Sequence, residues 1–184
     1  MLEFLLNLDQ NILLWLQESV RNDVLTPIIT FITHLGDKGS IWLMIALVLV
    51  IPRKTRNVGF AMLLGLLFSL IVNNGIIKNL VARPRPYTVI DGLTSVIGIQ
   101  GEFSFPSGHT ASSFAAAVAM YRGLPKKYSI PGLILASLIA FSRLYVGVHY
   151  PTDILGGIIS GTLLGILASW VSNLFCKKVL RYTI

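Results

Sequence analysis

The chain has 184 residues, of which 54% are hydrophobic and 12% are charged, and its mean hydropathy is +0.73. This composition excludes an ordinary soluble domain, so we predict an integral membrane protein. The formal net charge of +7 could indicate a nucleic-acid partner, but basic residues in a membrane protein more often report its orientation in the bilayer, and we expect no nucleic acid. Cys176 is the only cysteine, which excludes an internal disulfide and a cysteine-built metal cluster.

Residues 1–20 predict an amphipathic helix that lies at the membrane interface. Most of their apolar side chains fall on one helical face, and acidic and amide side chains interrupt the pattern. The opening segment MLEFLLNLDQ contains Glu3 and Asp9 but no early Lys or Arg. It therefore lacks the basic region of a cleavable signal peptide, and we expect this helix to remain attached.

Six apolar stretches follow and predict an all-α, polytopic membrane protein. A helix needs roughly 20 apolar residues to cross the hydrocarbon core, so the short second stretch has the least defined boundaries. The predicted spans are residues 22–35, 39–52, 57–77, 107–121, 129–145 and 152–175. Residues 1–184 are thus expected to form a single membrane domain, with a six-helix bundle at 22–175 and an outer loop at 79–106 that carries part of the site.

The distribution of basic residues predicts the orientation of these spans. Nine of the 15 basic residues lie in three segments that contain no Asp or Glu. They are Arg53, Lys54, Arg56, Arg122, Lys126, Lys127, Lys177, Lys178 and Arg181. A six-span count puts all three segments on one side, which the positive-inside rule makes cytoplasmic.

Four further cations lie at the opposite ends of the spans. Lys78, Arg83 and Arg85 follow the third span, and Arg143 ends the fifth. Any one of them could simply extend its head group to the interface. An arginine near membrane depth nevertheless costs at least about 2.5 kcal/mol unless it meets a partner or a polar cavity. As a group, these cations predict a cavity that binds an anion.

The residues near these cations fit phosphate-ester hydrolysis. The fourth span opens with PSGHT, so backbone N–H groups after Ser107 face an anion at a helix N-terminus. Two histidines complete the set, because one ring can attack phosphorus while the other protonates the leaving oxygen. Asp153 follows His149 by four residues and can orient its ring, and the sequence gives His109 no comparable carboxylate.

The three polar segments resemble a known family. KNLVARPRP fits a K-x6-R-P motif, PSGH fits a second motif, and SRLYVGVHYPTD fits S-R-x5-H-x3-D. These are the signatures of the type 2 phosphatidic acid phosphatase superfamily, and they occur in the family's order. The match covers residues 78–153 directly, and the predicted spans resemble the membrane branch of the family over essentially the whole chain.

The resemblance implies a role for each motif residue. His149 is expected to be the nucleophile and to form a phosphohistidine, while Asp153 orients it and His109 protonates the leaving group. Five residues are expected to hold the phosphoryl group: Lys78, Arg85, Ser107, Gly108 and Arg143. The resemblance implies no metal and no cofactor.

We therefore predict a lipid phosphatase in the bacterial plasma membrane, acting on its outer face on a phosphorylated or diphosphorylated lipid. The family suggests undecaprenyl diphosphate, phosphatidylglycerophosphate or phosphatidic acid. The compact size and short loops resemble bacterial members and favour the first two, and we slightly prefer undecaprenyl diphosphate. One alternative is the vanadium haloperoxidase branch, which the hydropathy disfavours. Another is a non-catalytic carrier or transporter of lipid headgroups, although binding alone requires no nucleophile with an orienting partner. A metal site built from His109, His149 and Asp153 is a third, but the adjacent cations would repel a divalent ion.

Four polar residues near the motifs have no assigned role. Arg83 has two possible contacts, a second phosphate or the lipid headgroup layer. His34 fits an interfacial or packing role better than a substrate contact. Asp91 and Glu102 belong to the outer loop at 79–106, which could act as a lid.

Overall fold

The computed structural model describes the backbone of residues 2–181 and the side chains of residues 3–175, and this part of the chain contains helices and no strands. The main helices are α1 (Leu2–Trp15), α2 (Leu25–Leu35), α3 (Ser40–Val50), α4 (Arg56–Ser69), α5 (Gly108–Gly123), α6 (Lys126–Tyr145) and α7 (Pro151–Arg181). Wider π-helical turns extend α1 through Leu16–Val20 and α4 through Leu70–Ile77, and a last turn of α4 covers Lys78–Val81. The predicted all-α fold is confirmed.

Helix α5 is the central helix of the bundle, and small residues let its neighbours approach closely. Ala111 and Ala115 of α5 are fully buried. A Cβ atom added at Gly161 of α7 would lie 2.4 Å from the Ala111 carbonyl oxygen, and one at Gly165 would lie 2.5 Å from that of Ala115. Only glycine permits this approach at the two positions, as is common between membrane helices. The close contact sets the starts of α5 and α7 side by side.

Helices α2 and α3 are short and form a bent pair. Each has 11 residues, which corresponds to about 16 Å, or half of a hydrocarbon core. Their axes differ by 47°, so α3 continues in the general direction of α2 rather than returning beside it. The pair is therefore a broken span or a re-entrant segment, and the bend lies at residues 36–39, between the two helices.

The six predicted crossings are not confirmed by the helix lengths. Within the described residues, three helices are long and apolar enough to cross a membrane, at Arg56–Thr88, Lys126–Tyr145 and Pro151–Phe175. The bent α2–α3 pair makes a fourth if it is counted as one span. Helix α5 has 16 residues, or about 24 Å. The side chains of Lys177, Lys178 and Arg181, which contributed to the predicted orientation, lie outside the described residues.

Helix α1 packs at the same end of the bundle as the three motifs. Leu13 is buried in a cluster with Ile90 and Leu93 of the outer loop and with Tyr150. Asp9 is also buried and accepts a hydrogen bond from the Thr152 backbone N–H at 3.0 Å. Large apolar side chains on the rest of α1 are exposed, among them Phe4, Leu8 and Trp15. Its interfacial position in the bilayer stays a prediction.

Candidate active site

A cavity of about 680 Å³ lies where α4 and α6 end and where α5 begins. Six of the eight predicted site residues line it: Lys78, Arg85, Gly108, His109, Arg143 and His149. The other two, Ser107 and Asp153, are completely buried directly behind its wall. Three segments that are distant in sequence thus meet in one place, as predicted.

His149 lies between a carboxylate and a guanidinium in the turn that joins α6 to α7. Its Nδ1 is 3.3 Å from Oδ2 of Asp153, and its Nε2 is 2.9 Å from Nη1 of Arg85. Burial lowers the pKa of His149 to about 3, and the charge of Arg85 adds to the shift. The ring is therefore neutral near pH 7, with a proton on Nδ1 facing Asp153 and a lone pair on Nε2. This is the form in which an imidazole is nucleophilic.

Asp153 is held in place by several donors besides His149. Its Oδ2 accepts hydrogen bonds from the Tyr150 backbone N–H at 3.0 Å and from the Ser104 hydroxyl. Its Oδ1 accepts one from Nη1 of Arg83 at 2.7 Å. With this many charge-assisted and neutral bonds, the carboxylate has one fixed orientation in a fully buried position.

Arg83 supports Asp153 from behind and does not line the cavity. Its guanidinium donates to the Thr152 hydroxyl at 2.7 Å and to Oδ2 of Asp9 at 2.9 Å, and it stacks over the Tyr150 ring at 3.6 Å. Asp9 belongs to α1, Thr152 belongs to the start of α7, and Tyr150 directly precedes α7. These contacts indicate neither a second phosphate nor the headgroup layer as the partner of Arg83. Instead, its guanidinium helps to hold the Asp153 carboxylate in place.

The other cations face the cavity and are deeply buried. Arg85 donates to the backbone carbonyls of Glu102 at 2.8 Å and Val148 at 2.9 Å. Lys78 pairs with the Glu102 carboxylate, and this hydrogen bond keeps the pKa of Glu102 below its usual range. Arg143 is 1% exposed and donates to the Thr33 hydroxyl at 2.8 Å.

Arg143 also has an unused donor. Its Nε is buried and finds no hydrogen-bond partner among the described residues. Leaving such a donor unpaired is costly, and a phosphoryl oxygen in the cavity is an acceptor of the right charge. The cluster of cations therefore fits an anionic group better than a metal ion. Within residues 3–175, no group of three His, Cys, Asp or Glu side chains could hold a metal ion.

The start of α5 supplies the backbone part of the cavity. The Ser107 hydroxyl caps the helix, because it accepts from the Thr110 hydroxyl at 2.9 Å and from the Thr110 N–H at 3.4 Å. A Cβ at Gly108 would lie 2.9 Å from the Asn74 side-chain oxygen, so a larger residue here would displace that side chain of α4. The Ser107 hydroxyl is thus engaged inside the helix cap, and its predicted contact with the phosphoryl group stays a prediction.

His109 has a carboxylate partner that the sequence does not indicate. Its Nε2 lies 2.8 Å from Oδ1 of Asp37, in the bend between α2 and α3. The second oxygen of Asp37 lies 2.8 Å from Nδ1 of His34. The prediction that His149 alone has a carboxylate partner is wrong, because packing of the bend onto α5 brings in a residue 72 positions away. His34 touches Asp37 and is absent from the cavity wall.

The sequence missed further residues around the site for the same reason. Asp9, Thr33, Asp37 and Ser104 all bond to residues of the motifs, as described above, although none lies within a motif. The only available signal was polarity: Asp9 interrupts an apolar face, and Asp37 lies in the polar, glycine-rich segment THLGDKGS. Asp91, by contrast, is exposed in the outer loop and has no contact with the cavity wall.

Known proteins with similar sequences show which family the chain belongs to. The family model of the PAP2 superfamily matches residues 55–175. An undecaprenyl-diphosphatase of Sulfolobus acidocaldarius is 30% identical over 150 residues, which cover 82% of this chain and 68% of that protein. Undecaprenyl-diphosphatase BcrC of Bacillus subtilis is 32% identical over 158 residues, which cover 85% of this chain and 79% of that protein.

A solved structure has the same fold. A transmembrane PAP2-type phosphatidylglycerolphosphate phosphatase from Bacillus subtilis matches with a TM-score of 0.72 and 30% sequence identity, over 91% of this chain and 85% of that chain. Fold and cavity together define a helical phosphatase of the membrane. The chain belongs to the PAP2 superfamily. The resemblance seen in the three motifs is confirmed, and so is the prediction of a membrane lipid phosphatase.

Proposed function

We propose that the enzyme hydrolyses a lipid phosphate or diphosphate through a phosphohistidine on His149. The observation that carries this proposal is the position of the His149 ring, whose Nδ1 faces Asp153 while its Nε2 faces Arg85 at the cavity wall. A group that only binds headgroups, as in a carrier or transporter, does not require a buried histidine held in one tautomer. The hydrolytic reading therefore explains more of the geometry than the carrier reading.

The first chemical step forms the phosphoenzyme. The Nε2 lone pair of His149 attacks phosphorus, the bond from phosphorus to the leaving oxygen breaks, and His109 gives that oxygen a proton. Lys78, Arg85 and Arg143 stabilise the charge that spreads over the phosphoryl oxygens. No metal or cofactor is needed in this scheme, because fixed cations already surround the phosphoryl group.

The second step releases phosphate. His109, now without its proton, takes one from a water molecule as that water attacks the phosphohistidine. The bond between phosphorus and Nε2 of His149 breaks, and the ring returns to its neutral form. One histidine thus carries the phosphoryl group while the other exchanges the proton in both directions.

The cavity wall also fits a lipid substrate. Besides the charged residues, it contains the apolar side chains of Leu43, Leu66, Leu67 and Leu70. An acyl or polyprenyl chain can lie against this wall while its phosphate reaches the cations. We favour undecaprenyl diphosphate over phosphatidylglycerophosphate and phosphatidic acid, because two of the similar proteins described above are undecaprenyl-diphosphatases.

The substrate is tested by assaying purified enzyme in detergent against these three lipids in the presence of EDTA. We expect release of inorganic phosphate, with the highest kcat/KM for undecaprenyl diphosphate. A higher value for another lipid would change the substrate but leave the chemistry intact. Binding without turnover would instead support the carrier reading. Activity that EDTA abolishes and magnesium or zinc restores would support a metal site.

We further propose that the cavity opens on the extracytoplasmic side of a bacterial plasma membrane. Arg53 and Lys54 precede α4, and Lys126 follows α5, so both basic segments lie at the end of the bundle opposite the cavity. Along the chain, only α4, the outer loop and α5 lie between the two basic segments. The proposed orientation therefore does not depend on α2 and α3, which could cross the membrane once as a bent pair or twice as in the predicted six-span arrangement. Helix α1 then lies on the outer surface as an interfacial helix.

This orientation predicts the labelling of single cysteines in a Cys176→Ser background. Asp91→Cys should react with a membrane-impermeant thiol reagent in intact cells, and Lys54→Cys should react only after permeabilisation. Asp91 suits the labelling because it is exposed in the outer loop. The neighbouring Gly92 does not, because its φ of +81° would strain a cysteine. The reverse labelling pattern would place the cavity on the cytoplasmic side.

A further inference from the structure

The most informative contact outside the three motifs is the one between Asp37 and His109. We propose that Asp37 is the positioning residue of the general acid: it accepts the Nε2 proton of His109, so that Nδ1 is the nitrogen that exchanges a proton with the leaving oxygen. This inference rests on the proposed role of His109. It adds a second histidine–aspartate pair to the site, separate from His149 and Asp153.

The bend between α2 and α3 has the geometry that this contact requires. A Cβ at Gly36 would lie 2.8 Å from Cδ2 of His109, so any larger residue here would push the bend and the ring apart. Lys38 and Gly39 follow with φ values of 53° and 70°, and these two left-handed residues turn the chain sharply. Asp37 thus sits at the tip of a tight turn that is pressed against the ring of His109.

The carboxylate itself is oriented from both sides. Oδ1 is 2.8 Å from Nε2 of His109, and Oδ2 is 2.8 Å from Nδ1 of His34. Nδ1 of His109 has no hydrogen-bond partner among the described residues, and the residue lines the cavity. The Asp37 side chain is 50% exposed, and an ion pair this exposed contributes little to stability. A purely structural role therefore explains the contact poorly.

The positive charges around His109 indicate what the Asp37 carboxylate contributes to the site. Arg143 and Lys78 line the same cavity, and their positive charges oppose a proton on the ring. Glu102 also lines the cavity, but its carboxylate is engaged by Lys78. Asp37 is the carboxylate in hydrogen-bond contact with His109. Its negative charge therefore offsets the effect of Arg143 and Lys78 and stabilises the protonated His109 ring that the leaving group requires.

The first test compares leaving groups in Asp37→Asn, which keeps the size of the side chain and loses its charge. The rate of phosphoenzyme formation is measured by rapid quench with the natural lipid and with an aryl phosphate, whose leaving group departs without a proton. We expect the rate with the lipid to fall about 10- to 100-fold, a part of the usual contribution of general acid catalysis. The rate with the aryl phosphate should change less than about 3-fold, because that step needs no acid. An equal loss with both substrates would overturn the proposal.

Two matched variants separate this inference from the function on which it rests. His109→Ala should show the same dependence on the leaving group with a larger loss, and adding Asp37→Asn to it should cause no further loss. If His109→Ala shows no dependence on the leaving group, the acid role of His109 fails and the inference fails with it. If His109→Ala shows the dependence and Asp37→Asn does not, only the role of Asp37 fails.

The tautomer supplies a readout that does not depend on activity. The chain has three histidines, so their ring nitrogens can be assigned by ¹⁵N NMR of the detergent-solubilised protein with single-histidine replacements. We expect the neutral His109 ring to carry its proton on Nε2 in the unaltered protein and to lose this preference in Asp37→Asn. A ring that carries its proton on Nδ1 in the unaltered protein would overturn the proposal even if the variant is less active.

Discussion

Replacing His149 by alanine is expected to reduce turnover and phosphate incorporation together to below detection. The variant lacks the only ring that Asp153 orients toward the cations of the cavity, so no phosphohistidine can form. The measurement is rapid quenching with phosphate-labelled lipid under conditions that preserve acid-labile phosphohistidine, followed by mapping of the labelled peptide. In the unaltered enzyme, the label should lie in the segment 144–153.

His109→Ala is the matched control for this experiment. It should still accumulate some label from a substrate with a good leaving group, because the nucleophile remains in place. Label in the segment 103–121 of the unaltered enzyme would exchange the roles of the two histidines. Inversion of configuration at a chiral phosphorus would point to direct attack by water and would remove the covalent role of His149.

Asp153→Asn should lower kcat by about 10⁴-fold with little effect on KM, by analogy with the same change in serine protease triads. The amide brings N–H donors into a buried position that already holds donors from Ser104, Tyr150 and Arg83. It therefore cannot accept from all of them and also keep the proton of His149 on Nδ1. The ring then favours the other tautomer, in which Nε2 has no lone pair for attack.

The exposed residue Asp91 provides the comparison for Asp153. Asp91→Asn removes the same charge in the outer loop and should leave kcat unchanged. Circular dichroism and thermal unfolding of both variants in detergent separate a loss of orientation from a loss of fold. A kcat for Asp153→Asn within about 10-fold of the unaltered enzyme would mean that the other contacts of His149 suffice to orient it.

The order and the ends of the long helices were predictable because hydrophobic length determines them. Each motif lies where an apolar stretch begins or ends, and alternating crossings then bring the motifs to one end of the bundle. The number of membrane crossings was harder to predict from the sequence. Two helices of 11 residues separated by a polar turn have the same hydropathy profile whether they return or continue, and only packing determines the 47° bend.

The partners of the catalytic groups were predictable only where they are close in sequence. Asp153 lies four residues from His149, on a spacing that one turn of chain brings into contact. Asp37 and His109 are 72 residues apart, and Thr33 and Arg143 are 110 apart. No periodicity of a single helix encodes such pairs, because they result from packing between helices. The role of Arg83 was also open from sequence, because its position next to a motif fits a second phosphate or the headgroup layer equally well. Its contact with Asp153, 70 residues away, becomes visible only in the folded chain.

The bonds of Asp9 have a consequence for the assembly of the protein in the membrane. This residue of the first helix binds Arg83 and the Thr152 backbone N–H, 143 positions later. During synthesis, the buried carboxylate of Asp9 therefore lacks part of its hydrogen bonding until α7 has been made. Asp153, which shares Arg83 with Asp9, belongs to the same helix as Thr152 and reaches its final environment at the same stage. A nascent chain that still lacks α7 therefore has His149 but not the carboxylate that orients its ring.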